Sequence, residues 1–389
     1  MITLFYFCCI MQIKTIPTTA DKYGRKGCLR FAAILFAISV TGMATAQNYG
    51  VLLFFRLLTG IGVGLGLSID PLYIGEVSPS EKRGRLISWC ELSINLGTLL
   101  GFGFGALLNL APVNVGWRIM LALGAIMPVA LLVCLMWMPE TPRWLVLNNR
   151  EIEAKAVLVN IYDSNVDTQE LLEEIKTNIT EEAKREGGWD QIYRPTPAVR
   201  RALIAGVGQG VLQQLTGIEA IMNYFIFMFE AANVRVTTAY TYLVVFGFCK
   251  FATVAYVSRL FDNPEFGRKK MLLFSGFGVA ISMLVYAIVY SPYFSDEEWV
   301  GPVLIITMFF YVIMFSVGWG PCTWIVIAEV FPTHIRAKGV SCATFGNRLM
   351  ATILTGSFLT LVKYISYSGI FIIFLVCGRD IRVYVIYVI

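Results

Sequence analysis

The sequence predicts an all-α integral membrane protein made of two related helical bundles, and three observations carry that prediction. The first is composition. Of 389 residues, 57% are hydrophobic and only 15% are charged, against roughly 45–50% and about 25% in an ordinary soluble domain. Mean hydropathy is +0.68. The second is a series of ten apolar runs, each near the length of about 20 residues that a bilayer crossing takes. The third is an internal repeat of polar loop motifs, about 240–250 residues apart. Together these exclude a soluble enzyme, a disordered chain and a nucleic-acid binder, all of which need charge that is missing here. The net charge of +5 says less than where the charges sit.

Taken in order, residues 1–13 are apolar but too short to span, and Lys14 follows them, the wrong order for a signal peptide. Spans are expected at 28–46, 50–70, 87–110, 117–138, 201–229, 238–258, 271–290, 302–327, 339–364 and 368–389. The one long polar segment separates four spans from six and carries acidic runs at Glu170–Glu174 and Glu181–Glu186. It reads as short amphipathic helices outside the bilayer. The expected organisation is therefore an N-terminal bundle over 1–138, a cytoplasmic helical linker over 139–200 and a C-terminal bundle over 201–389. Two equal halves would hold six spans each, so the first is expected to lack most of two helices.

Lys and Arg stay on the cytoplasmic side of a membrane. With alternating sides, the segments 21–30, 76–85, 139–201, 259–270 and 329–338 collect 22 of the 31 Lys and Arg, and the opposite ends hold only Arg118, Arg235 and Lys363. That bias fixes the orientation and supports the span count, because one missed span would scramble it.

The repeat lies at these cytoplasmic ends. Glu76-Val77-x-Pro79-x-x-x-Arg83-Gly84 returns as Glu329-Val330-x-Pro332-x-x-x-Arg336, and Asp21-x-x-Gly24-Arg25-Lys26 returns as Asp262 followed by Gly267-Arg268-Lys269. Two copies of one unit about an axis normal to the membrane produce this pattern, and such halves rock against each other around a central site. Asp21, Arg25, Glu76, Arg83, Glu329 and Arg336 are the candidates for an ion-pair latch on the cytoplasmic face. The plainer reading of the same residues is topology charge and helix capping.

Other chemistry is scarce. Nine cysteines show no zinc spacing, and most sit in apolar runs as small hydrophobes. The single histidine, His334, cannot make a metal site or a triad alone. Gly60, Gly62, Gly64 and Gly66 lie inside an apolar span, where small residues let helices approach, and no phosphate-binding lysine follows. No cofactor is called for.

Six motifs in order then carry a resemblance: Asp21-Lys-Tyr-Gly-Arg-Lys26; Arg56 with Gly60, Gly62 and Gly64; Pro71-Leu-Tyr-Ile-Gly-Glu-Val-Ser-Pro79 to Arg83-Gly84; Pro139-Glu-Thr-Pro-Arg-Trp-Leu145; Gln213-Gln-Leu-Thr-Gly217; and Gly320-Pro321-x-x-Trp324 to Glu329-x-Phe331-Pro332. From about Asp21 to about Leu375 the chain resembles the sugar porter family of the major facilitator superfamily. Acidic Glu91 and Glu219 with Lys250, together with Asn347-Arg348-Leu349 and Trp117-Arg118-Ile-Met-Leu121, are similar to its polyol and monosaccharide proton-symporter branch. The resemblance implies two six-helix bundles, a cytoplasmic helical linker and alternating access for a monosaccharide or polyol. It implies a monomer in the lipid bilayer, with the proton as coupling ion.

The resemblance also implies a site. Gln213 and Gln214 match paired glutamines of the seventh family helix, and amides offer sugar hydroxyls both donors and an acceptor. Glu219 would point away from them on an unbroken helix, so a break at Thr216-Gly217 is expected. Tyr224 and Trp324 would give sugar-ring carbons flat apolar faces, and Asn347 falls at another family contact. The plainer reading is helix–helix hydrogen bonding. Lone charges near the bilayer centre are costly, so Lys250 is expected to pair with Glu219 or Glu91. Arg56 matches an arginine that works in coupling with an aspartate on the first helix; no such helix is identified in this sequence, and charges at Arg379, Asp380 and Arg382 depart from the family's twelfth. Two alternatives to a symporter follow: an uncoupled facilitative carrier, and an incomplete product or sugar sensor that does not transport.

Overall fold

The computed structural model describes residues 16–79, 83–109, 112–162, 167–184, 190–232, 234–260, 267–294, 297–332 and 335–387. The stretch 1–13, Asp262 and His334 lie outside the described residues, as do the side chains of Arg83, of the run Glu181–Glu186, of Arg379, Asp380 and Arg382. The described residues are almost entirely helical and contain no strand.

Each of the ten expected spans is a helix or a pair of helices. The first half holds Arg25–Ala44, Tyr49–Val77, Arg83–Leu108 and the stacked pair Val113–Leu123 and Ile126–Trp137. The second holds Pro197–Leu215 and Ile218–Ala231, then Val236–Leu260, Arg268–Val289, Val300–Val317 with Pro321–Val330, and Arg336–Tyr387. Eight stretches among the described residues are long and apolar enough to cross a bilayer. One of these, Lys338–Gly378, is two of the expected spans, because the backbone breaks at Ser366 with φ 69°. The span made of Pro197–Leu215 and Ile218–Ala231 is absent from the eight because it is split and carries three glutamines on its first part.

Local sequence explains where several elements start. Asn48 accepts a hydrogen bond from the Val51 N–H at 2.9 Å and so caps Tyr49–Val77. Thr196 caps Pro197–Leu215 and Thr141 caps Pro142–Leu147, each followed by a proline whose missing N–H costs nothing in a first turn. Linker helices Pro142–Leu147, Glu151–Ile161 and Thr168–Lys184 share a small core of Leu145, Ala154, Leu158 and Leu172. Glu151, then Glu173, holds the Lys176 ammonium above its usual range by hydrogen bonding.

The main core lies in the second half, where Ile221, Phe225, Phe246, Tyr286, Tyr311, Trp319 and Phe371 are essentially inaccessible. The halves meet where Arg83–Leu108 runs along Val236–Leu260, with Phe102 edge-on to Phe246 at 6.4 Å. Large apolar side chains such as Trp137, Ile306 and Met136 face outward, as a lipid environment requires. Two breaks position the central polar residues. Gly217 adopts the left-handed conformation, φ 84°. Gly318 sits where a Cβ would lie 2.5 Å from the Met271 carbonyl oxygen.

Candidate functional site

The centre of the second half holds a cluster of buried amides. Asn347 is fully inaccessible. It donates to the Gly210 carbonyl at 2.8 Å and to Gln213 Oε1 at 2.8 Å, and it accepts from Gln214 Nε2 at 3.0 Å. Gln213 Nε2 donates to the Trp319 carbonyl at 2.8 Å, at the end of the helix that stops before Gly318. Helices approach closely enough for this because Gly210 has no side chain: a Cβ there would lie 2.8 Å from the Ala343 carbonyl oxygen. Gln214 Oε1 is buried with no hydrogen-bond partner. A buried amide oxygen without a partner is costly, so this position suits an incoming hydroxyl or a water.

The expected break at Thr216-Gly217 is present. The Thr216 hydroxyl donates to the Gln213 carbonyl at 2.6 Å, and Tyr311 donates to the Thr216 carbonyl at 3.1 Å. These bonds occupy carbonyls that the interrupted helix leaves over. Glu219 follows in the first turn of the next segment and reaches Arg348 at 3.7 Å. Adjacent residues Asn347 and Arg348 thus receive the two sides of the break, the amides on one and the carboxylate on the other.

Lys250 does not form the ion pair expected of it. Among the described residues it has no carboxylate within 4.0 Å; its ammonium lies 3.6 Å from the Met222 sulfur. Glu91 and Glu219 act on it through their fields rather than by contact. Arg348 has taken Glu219, and Glu91 accepts from the Asn95 amide at 3.3 Å. The three charges lie near one another, but the arginine that sequence reading left out of the site supplies the contact.

The two aromatic candidates are each partly engaged by neighbours. Tyr224 stacks on Phe358 with centroids 4.9 Å apart, and its hydroxyl donates to the Thr355 carbonyl at 2.7 Å. Trp324 packs against the cluster containing Ile327 and Phe331, and the Arg348 guanidinium lies 5.9 Å over its ring. Each ring has a partner on one side, and both side chains remain half-buried. Arg56 sits half-buried on the helix Tyr49–Val77, distant in sequence from this cluster.

At the span ends that carry the repeated motifs, those motifs close on themselves. The Arg25 guanidinium meets Asp21 at 2.9 Å and Glu76 at 2.9 Å. Arg143 of the linker reaches Glu76 at 3.9 Å. In the second half Arg268 meets Glu329 at 2.7 Å. Arg336 donates to the Phe331 carbonyl at 3.4 Å, not to a carboxylate as a latch would require. The ion pairs among the described residues, which leave out the Arg83 side chain, form within a half or with the linker as local clasps. Glu140 adds a third tie by accepting from the Lys26 backbone N–H at 3.0 Å, and a Cβ at Gly24 would collide with its carboxylate. A cavity of about 340 Å³ lies between this region and the linker, lined by Glu76, Arg143, Leu158, Tyr162 and Glu174 among others.

Sequence reading missed three residues. Gln209 is fully buried, donates to Thr323 at 3.1 Å, and leaves Oε1 without a partner. Its signal was the four-residue spacing to Gln213, which puts both on one helix face. Arg348 was visible as an intramembrane charge, but nothing in the sequence showed which residue it would meet. Asp70, a carboxylate inside the helix Tyr49–Val77, was hidden among apolar neighbours.

The family model described as sugar (and other) transporter matches residues 1–388. Polyol transporter 5 of Arabidopsis thaliana is 34% identical over 377 residues, covering 92% of this chain and 69% of that protein. The glucose transporter GlcP of Staphylococcus epidermidis is 30% identical, covering 94% and 79%. Among solved structures, the proton:xylose symporter XylE bound to 6-bromo-6-deoxy-D-glucose superposes with a TM-score of 0.83 at 24% identity, covering 98% of this chain and 83% of that one. The chain is an integral, multi-pass membrane protein that belongs to the sugar (and other) transporter family.

Proposed function

We propose that this chain carries a polyol or monosaccharide across its membrane by alternating access, with a proton as coupling ion. The observation that carries the reading is the Gln213–Asn347–Gln214 cluster beside a broken helix, with Gln214 Oε1 left without a partner. Amides exchange one another for hydroxyls at little cost, because each offers donors and an acceptor. The repeated clasps Arg25–Glu76 and Arg268–Glu329 support two halves that move as units. Intramembrane Glu91 and Glu219 are carboxylates able to hold a proton, and Arg56 and Lys250 are cations able to respond to it. The names of the relatives, a polyol transporter and a glucose transporter, point to the same substrate chemistry.

The test is uptake by the full chain in proteoliposomes. Labelled mannitol and glucose are presented with and without an inward proton gradient. Accumulation above equilibrium that a protonophore abolishes is the expected result. Equilibration alone would remove the coupling, and no uptake of either compound would remove the transport reading. Gln214→Ala is expected to lower uptake about tenfold, the scale of one lost hydrogen bond to substrate.

A further inference from the structure

We infer that Glu91 carries the coupling proton, and that it acts by making or releasing an attraction to Lys250 across the contact between the two halves. The inference rests on the transport reading above and names the proton-binding group within it. The helix Arg83–Leu108 of the first half runs along Val236–Leu260 of the second. Gly247 marks where they touch: a Cβ there would lie 3.2 Å from the Leu99 Cα and 3.0 Å from the Phe102 ring. Glu91, Asn95 and Leu99 follow one another at four-residue intervals, so they share one face of their helix. Leu99 turns that face toward the second half. Lys250 lies three residues beyond Gly247 on the opposing helix, on the face that meets it. Register alone therefore sets the carboxylate and the ammonium on facing surfaces.

Neither group is neutralised by contact. Lys250 is buried, with its ammonium 3.6 Å from the Met222 sulfur and no carboxylate within 4.0 Å among the described residues. The Glu91 carboxylate accepts from the Asn95 amide at 3.3 Å, and the residue is half-buried rather than sealed. The charges of the second half whose fields reach Glu91 are Lys250, Arg348 and Glu219. Arg348 and Glu219 lie 3.7 Å apart with opposite signs, so their fields largely cancel at Glu91 and Lys250 is the net partner. In its own half Glu91 has Cys90 beside it, with Asp70 of Tyr49–Val77 on the other side of that thiol. Protonating Glu219 acts within the second half, whereas Glu91 faces from one half to the other. Opposite charges in a low-dielectric interior attract over several ångströms. Ionised Glu91 thus favours the arrangement in which it lies near Lys250. A proton taken from water onto the carboxylate ends that attraction and lets the halves part. Moved away from Lys250, an ionised Glu91 would be a lone charge in the membrane, so parting in turn favours the bound proton, as linkage requires. The proton enters from water on one side and leaves to water on the other.

The experiment uses the full chain in proteoliposomes with labelled mannitol and glucose, and takes two readings. One is accumulation under an inward proton gradient; the other is the pH profile of exchange between labelled and unlabelled compound. The wild-type chain is expected to accumulate above equilibrium and to show a single midpoint in its exchange profile. Glu91→Gln is expected to fall to equilibrium and to lose the midpoint, and Glu91→Asp to keep both in weaker form. Because Glu91→Gln leaves Lys250 without its opposing charge and can harm folding, Lys250→Met is the second variant. With the cation gone, Glu91 keeps its proton to higher pH, so the midpoint should rise by about one pH unit, the scale of one nearby charge. Accumulation above equilibrium by Glu91→Gln, or an unmoved midpoint in Lys250→Met, would overturn the inference and leave proton-coupled transport standing. Wild-type equilibration without accumulation would remove the coupling and this inference with it. No uptake by the wild-type chain would remove the transport reading as well.

Discussion

The Arg25 guanidinium meets the Glu76 carboxylate at 2.9 Å with side chains only 4% and 10% exposed. Its counterpart in the second half, Arg268 with Glu329 at 2.7 Å, has both side chains about half exposed, 51% and 50%. The motif is the same and the geometry nearly so, but the solvent is not. Removing one partner of a buried pair leaves an uncompensated charge and costs about 3–5 kcal/mol, whereas an exposed pair is worth about 0–1 kcal/mol.

Arg25→Ala is therefore expected to lower the thermal midpoint of the purified chain strongly, and Arg268→Ala hardly at all. Thermal unfolding in one detergent, both variants side by side, reads the difference. Equal losses would mean that burial does not set the worth of these clasps.

The helix break at Gly217 makes a second prediction. A non-glycine residue in the left-handed conformation costs about 1–2 kcal/mol, and here a Cβ would also sit 3.0 Å from Phe374. Gly217→Ala should lower stability by at least that strain. It should also weaken substrate binding, since relaxing the break rotates Glu219 away from Arg348. Calorimetric affinity measured alongside the midpoint separates the two effects. A destabilised variant with unchanged affinity would show that the break serves folding alone.

Much of this was legible before any coordinates. Spans ending at 364 and resuming at 368 anticipate the break at Ser366, φ 69°, because Tyr364 to Ser368 interrupts the apolar run. The break at Thr216-Gly217 followed from needing Gln213 and Glu219 on one side of a helix. Contacts between helices were not legible. Sequence shows that Lys250, Glu219 and Arg348 are costly charges in lipid. It does not show rotation about the helix axes, which decides that Glu219 meets Arg348 and that Lys250 meets Met222. The same holds for Tyr224, whose type announces a flat face but not the Phe358 ring already lying on it.

Asn347 offers a third prediction. It is joined to Gly210, Gln213 and Gln214 by three hydrogen bonds. Asn347→Asp keeps its shape but turns both donor bonds into contacts between acceptors. Each buried group left unsatisfied costs about 1–3 kcal/mol. The variant should therefore unfold earlier than Asn347→Ala, in which water can enter the vacated space. Equal midpoints for the two variants would argue that the cluster is hydrated and weakly coupled.

The last prediction concerns Lys250, a buried ammonium beside a thioether and within the fields of Glu91 and Glu219. Methionine nearly matches its shape and would pack well against Met222. If packing decided the outcome, Lys250→Met would be neutral or stabilising, as when buried ion pairs are replaced by apolar groups. But Glu91 stays behind, held by one amide contact from Asn95 at 3.3 Å. Glu219 keeps Arg348. The cost of Lys250→Met should then fall mainly through Glu91. A double-mutant cycle with Glu91→Gln should show coupling of about 0.5–3 kcal/mol, the range found for residues that share a network. The corresponding cycle with Glu219→Gln should show less. Larger coupling to Glu219 than to Glu91 would mean that the lysine, not Arg348, is the partner that matters to that carboxylate.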